Sequence, residues 1–183
     1  MGLSFFKPNK TVTGALADFS FNSKDGALYI QIVRQTGYDE SRHIGSFKEG
    51  QKLNIKFNAT EIGGFLRSLR NLIEVKFFHT TADSKTTIFF APYKTKDSDT
   101  VAGFGLTVLK NTEKWKVPFT LDEAVLLEEH LKYVLTHFFD AQYSEDIKRA
   151  KDYAAKKAQA PKSSETPKGE DSTAGEDSGA DPF

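Results

Sequence analysis

The chain has 183 residues (20.4 kDa), its 25 Lys+Arg balanced by 25 Asp+Glu, and no cysteine. Absence of cysteine excludes disulfide frameworks, thiolate zinc sites, thiol nucleophiles and iron–sulfur clusters, and no apolar run is long enough to cross a bilayer as a helix. The zero net charge hides an asymmetry, because residues 161–183 carry a net −4 and residues 1–160 a net +4. The opening Met1-Gly2-Leu3-Ser4-Phe5-Phe6-Lys7-Pro8 reads as neither a secretory signal nor, with Phe6 where Ser or Thr is wanted, a myristoylation site. A soluble, cytoplasmic protein without a membrane partner is expected.

Residues 1–11 read as an N-terminal arm and 12–158 as the folded body. Within 15–22, Ala15, Ala17, Phe19 and Phe21 fall on one side. Within 27–35, Leu28, Ile30 and Ile32 oppose Tyr29, Gln31 and Val33, after a turn at Asp25-Gly26. A third strand is expected around 41–47, and a fourth at 51–57 sets Leu53, Ile55 and Phe57 against Lys52, Asn54 and Lys56. Asn58 and Glu61 then form a capping box, with Phe57 and Ile62 as a hydrophobic staple. The helix runs to about residue 72, and Gly63-Gly64 inside it implies close approach of another backbone.

The same grammar returns downstream. Strands are expected at 74–81, 85–91, 102–109 and 114–119, followed by Thr120 and Glu123 as a second capping box. Phe57-Asn58-Ala59-Thr60-Glu61 and Phe119-Thr120-Leu121-Asp122-Glu123 are related by an offset of 62 residues. Leu121, Ala124, Val125, Leu131, Val134, Leu135 and Phe138 make a wide apolar stripe on the second helix. A separate basic helix is expected at 144–158. The expected fold is therefore α+β: a four-strand-plus-helix unit in two copies, repeat one 12–73 and repeat two 74–140. An oligonucleotide-binding barrel with an added helix is the alternative.

Residues 159–183 contain no Leu, Ile, Val, Met, Tyr or Trp. Such a segment cannot bury enough apolar area to offset about 1–2 kcal/mol of backbone entropy per residue, so a disordered acidic tail is expected. Its single large apolar side chain is the terminal Phe183, after Asp181-Pro182, which reads as a hook for a partner's apolar pocket.

Catalytic chemistry finds no carrier. His43, His79, His130 and His137 lack metal-ligand spacing. Gly103-Phe104-Gly105 lies inside a strand pattern without the third glycine or the lysine of a phosphate loop, and no serine sits in a nucleophile elbow. A non-enzyme with no cofactor and no metal is expected. What stands out instead is the pairing of 16 Phe, 6 Tyr and one Trp with lysines on strand faces. Lysines neutralise phosphates, and unpaired bases stack on rings at about 1–3 kcal/mol each, which suits single-stranded nucleic acid. Trp115 alternates with Lys114 and Lys116, in phase with Val117, so the core is an equal destination for it.

The run from Phe21 through Arg34, followed by Phe47-Lys48-Glu49-Gly50-Gln51-Lys52-Leu53-Asn54-Ile55 and a capped helix, resembles the core of the transcriptional positive cofactor four family. Its doubling in one chain resembles the plant Whirly proteins over residues 12–140. The resemblance implies single-stranded DNA as ligand, no enzyme activity and a homo-oligomer. Carried onto matching positions, it nominates Lys24, Tyr29, Arg34, Lys52 and Lys56 in the first repeat. In the second it nominates Lys76, Phe78, Lys85, Phe89, Lys114 and Lys116, with Trp115 beside them. The tail, ending in Asp181-Pro182-Phe183, is similar to the acidic arms of bacterial and phage single-stranded-DNA-binding proteins, which recruit replication or recombination proteins. Together these imply a sequence-independent single-stranded-DNA-binding protein of a phage or bacterial replication system. An RNA-binding or transcription-regulating protein on the same scaffold, or a protein-interaction module, stands as the alternative.

Overall fold

The computed structural model describes residues 2–95 and 99–159. In chain order the first half contains β1 (Gly2–Lys7), β2 (Ala15–Asn22), β3 (Ala27–Arg34), β4 (Gly37–Asp39), β5 (Ile44–Ser46), β6 (Lys52–Phe57) and α1 (Ala59–Asn71). The second contains β7 (Val75–Thr80), β8 (Lys85–Lys94), β9 (Val101–Lys110), β10 (Glu113–Thr120) and α2 (Leu121–Gln159). Two antiparallel four-stranded sheets result, ordered β1-β2-β3-β6 and β10-β9-β8-β7, while β4 and β5 pair only with each other. The fold is α+β, a four-strand-plus-helix unit used twice, and not a single barrel. Residues 2–147 form one compact unit, and the end of α2, residues 148–159, falls outside it. No described helix is long and apolar enough to cross a membrane.

Strand alternation places one face of each sheet in a shared core. Phe19, Ile30 and Ile55 lie in one inward row of the first sheet, and Ile88 and Val108 in one of the second, all buried. A chain of ring contacts joins the halves: Phe57–Phe65 at 5.2 Å, Phe65–Phe90 at 5.0 Å, Phe90–Phe119 at 6.1 Å and Phe119–Phe5 at 5.1 Å. Such pairs contribute about 0.5–1.5 kcal/mol each beyond the area they bury. α1 packs on β7, β8 and β3, and α2 contributes Ala124, Leu127, Leu131 and Val134 to the core.

Both capping boxes form. The Glu61 amide donates to Asn58 Oδ1 at 3.0 Å while the Asn58 amide donates to Glu61 Oε2, also at 3.0 Å. Thr120 and Glu123 repeat the exchange at 2.8 and 3.3 Å. Each capping glutamate has a further partner from the other repeat. Glu61 meets His79 Nε2 at 2.6 Å, and Glu123 pairs with Lys7. Strand registers, followed rung by rung from the 62-residue offset, place Lys7 and His79 at equivalent positions of β1 and β7. Each helix is thus pinned at its N-terminus to the other repeat's first strand. Burial works against ionisation of Glu123, but the hydrogen bonds from Lys7 and Thr120 outweigh it and hold the carboxyl below its ordinary value.

Several expectations need correction. Residues 2–7 are not an arm; they form β1, whose Phe5 is buried against Phe19 and Phe119. Repeat one therefore starts before residue 12. The segment 41–47 is not a member of the main sheet but part of the small β4–β5 hairpin, so β1 is the missing fourth strand. The helix expected at 144–158 is continuous with α2, where the Ser144 hydroxyl bonds back to the Asp140 carbonyl at 2.8 Å instead of capping a new helix. Gly64 is required by a ring and not by a backbone, since a Cβ there would sit 2.8 Å from Phe77, while Gly63 faces open space.

Candidate nucleic-acid interface

The outward face of the second sheet carries two adjacent rows of cross-strand neighbours. One row reads Lys76, Phe89, Thr107, Lys116 from β7 to β10, and the next reads Phe78, Thr87, Leu109, Lys114. Lys85 continues the face beside Thr80. Neighbours in such a row stand about 4.5–5.5 Å apart at Cβ, so these side chains form one continuous patch. Phe78 is 67% exposed, and Lys76, Lys114 and Lys116 are exposed. The Lys76 ammonium lies 4.7 Å from the Phe78 ring centroid and 4.9 Å from that of Phe89. Neither row contains an acid, and among the described residues no ion pair engages Lys76, Lys114 or Lys116. Rings and uncommitted cations thus share a solvent-facing wall.

The first sheet has the same geometry and different chemistry. Its outward rows read Gly2, Ser20, Tyr29, Lys56; then Ser4, Asp18, Gln31, Asn54; then Phe6, Leu16, Val33, Lys52. Its polar groups bond to one another: Ser4 to Asp18, Gln31 to Asn54 at 2.8 Å, and the Tyr29 hydroxyl to Asp25 at 2.7 Å. The Asp25 carboxylate raises the Tyr29 pKa, chiefly through that hydrogen bond. One end of this face is covered by the excursion between β3 and β6. Val33 is only 3% exposed, Gly50 packs on it, and Phe6 meets Phe47 at 6.0 Å.

Tyr29, Lys52 and Lys56 therefore stand together on the outward face of the first sheet, and Lys76, Phe78, Lys85, Phe89, Lys114 and Lys116 on that of the second. Lys24 stands apart, in the turn between β2 and β3. Arg34 and Trp115 lie on neither outward face. Both fall in the inward phase of their strands, where Trp115 is 4% exposed and the Arg34 guanidinium lies over its ring at 4.1 Å. Trp115 is not an open platform for bases. Asp181, Pro182 and Phe183 lie outside the described residues. Phe6, 61% exposed and equivalent to Phe78, was missed because its strand was missed. Its adjacency to Phe5 hides the alternation that would have betrayed the strand.

No protein-family model and no curated protein sequence matches the chain. Solved structures do. Similar chains include MRP1/MRP2 from Trypanosoma brucei (18% identity, TM-score 0.55, covering 73% of this chain and 83% of that one) and WHY1 from Arabidopsis thaliana (20%, 0.54, 82% and 92%). The plant transcriptional regulator PBF-2 is similar at 17% identity and TM-score 0.54, covering 80% of this chain and 86% of its own. The likeness is one of fold: the duplicated strand-and-helix arrangement is Whirly-like.

Proposed function

We propose that this protein binds single-stranded nucleic acid, without catalysis, on the outward face of the second sheet. The observation that carries this reading is the pair of acid-free rows in which Lys76, Lys114 and Lys116 flank Phe78 and Phe89. Ammonium groups offset phosphate charge and release counterions, while the ring faces take unpaired bases of any sequence. A duplex hides those faces, so the surface selects single strands. The first sheet, with Tyr29, Lys52 and Lys56, extends the footprint more weakly. The test is a fluorescence-anisotropy titration of labelled oligo-dT at several salt concentrations. Binding that weakens steeply with salt is the expected result, and no affinity at low salt would defeat the reading.

Within this reading the protein serves a phage or bacterial replication or recombination system in the cytoplasm, as a homo-oligomer. Its acidic tail recruits partner proteins through Asp181, Pro182 and Phe183. The acidic composition of residues 161–183 supports that role. Deleting residues 174–183 should leave DNA affinity intact or higher and remove recruitment. The likeness to a chain described as a transcriptional regulator favours a second reading, transcription control on the same surface. Competition between matched DNA and RNA oligonucleotides, and between random and promoter sequences, separates the two.

A further inference from the structure

Where β10 leaves its sheet open, a cleft of about 420 Å³ lies between that free edge and the loop joining β1 to β2. A second cavity of about 380 Å³ adjoins it, sharing Thr13, Gly14, Ala15 and Lys116. Both volumes fall in the range of about 300–1,000 Å³ typical of small-ligand sites. Arg34, Lys114 and Lys116 line the first cavity, Lys7 and Lys116 the second, and no acid lines either.

The cleft is built in advance. Its loop wall is pinned by Gln35, a buried polar side chain that uses both ends of its amide. Gln35 Oε1 accepts from the Asn9 and Gly14 amides at 2.9 and 3.1 Å, and Nε2 donates to the Asn9 and Gly37 carbonyls at 2.9 and 2.8 Å. At the rim Val12, a β-branched residue, holds φ at +54°, a strained conformation of the kind that clusters at binding sites. Across from the loop, Arg34 is fixed by the Trp115 ring beneath it, by Gln51 and by the Lys114 carbonyl at 3.3 Å. A guanidinium held flat in this way presents a planar, charged surface at no further ordering cost.

Pseudo-symmetry isolates the feature. The positions equivalent to Arg34 and Trp115 in the other half are Lys110 and Leu53, so the repeat folds without this stack. We infer that the cleft is a single-nucleotide subsite: one nucleotide of a bound strand enters it, its phosphate against Lys114 and Lys116 and its base against the Arg34 plane. Lys114 and Lys116 also end the two rows of the second sheet, so a strand crossing that face reaches the cleft directly. The inference rests on the proposed single-strand binding and adds a defined destination for one base.

Trp115 is the only tryptophan in the chain, so its emission reports on the cleft alone. The full chain is titrated with unlabelled oligo-dT while Trp115 emission is followed, and in parallel with labelled oligo-dT followed by anisotropy. Saturable change in emission over the same concentration range as the anisotropy is expected. Arg34→Lys keeps the charge and loses the plane; it should abolish the emission change and weaken binding about tenfold. Val12→Asp tests the same cleft without touching the stack, because aspartate tolerates the left-handed conformation and places a carboxylate at the rim. It too should weaken binding, and it serves if Arg34→Lys loses its melting transition. Normal anisotropy with flat emission, or unchanged affinity in Val12→Asp, overturns the subsite and leaves the sheet-face reading standing. No anisotropy change in the wild type overturns both.

Discussion

The two sheets are the same object in backbone and different objects in chemistry. At equivalent positions the middle outward row of the first sheet reads Ser4, Asp18, Gln31, Asn54 and that of the second reads Lys76, Phe89, Thr107, Lys116. The first row is a closed set of polar groups bonded to each other; the second leaves two cations and a ring facing water. The central inward rows are apolar in both, because both must bury the same kind of core. Duplication kept what folding needs and let the outer surfaces diverge, so the difference between the sheets points to function more sharply than either sheet does.

The largest expected effect comes from breaking that contrast. Lys76→Glu/Lys114→Glu/Lys116→Glu should weaken oligo-dT binding by about a hundredfold or more at moderate salt, while Lys52→Glu/Lys56→Glu costs about tenfold or less. Anisotropy measures both, and circular dichroism should register no loss of fold, since all five lysines are exposed. Next, Phe89→Ala or Phe78→Ala should each lose about 1–3 kcal/mol of binding, the worth of a stacked base, and Phe6→Ala on the first sheet less. Salt dependence sharpens the comparison further: each lysine neutralised on the second sheet should lower the log–log slope by about 0.7.

Two smaller predictions concern stability. Glu123→Ala removes both the capping exchange with Thr120 and the pair with Lys7, and should cost about 1 kcal/mol in a thermal or urea melt. Burial of His130 holds its pKa below the ordinary 6.5, despite an opposing contribution from the Phe19 carbonyl. The unfolded chain then takes up the proton more readily than the folded one. That stability is fully present above pH 6.5 and declines as pH falls below it, and His130→Gln should flatten the decline in a melting series.

Much of this was legible in residue order. Asn58 with Glu61 and Thr120 with Glu123 declare two helix starts, and their 62-residue spacing declares the duplication. Alternation set Tyr29, Lys52 and Lys56 opposite the core residues because a strand's period is fixed by its geometry, and the family resemblance nominated Phe78 and Phe89. What stayed hidden depends on pairing over distance. β1 carries Phe5 and Phe6 side by side, one buried and one exposed, and only its partnership with β2 makes it a strand. The continuity of α2 did have a signal, since no glycine or proline interrupts residues 121–159. The seat of Arg34 on Trp115, across the two repeats, had none.

The most direct test is amide chemical-shift mapping of the full chain on titration with oligo-dT. The account predicts perturbations concentrated at residues 76–78, 87–89, 107–109 and 114–116, with smaller ones at Tyr29, Lys52 and Lys56. Saturable perturbations confined to the row of Ser4, Asp18, Gln31 and Asn54, or to α2, with the second sheet silent, would contradict it.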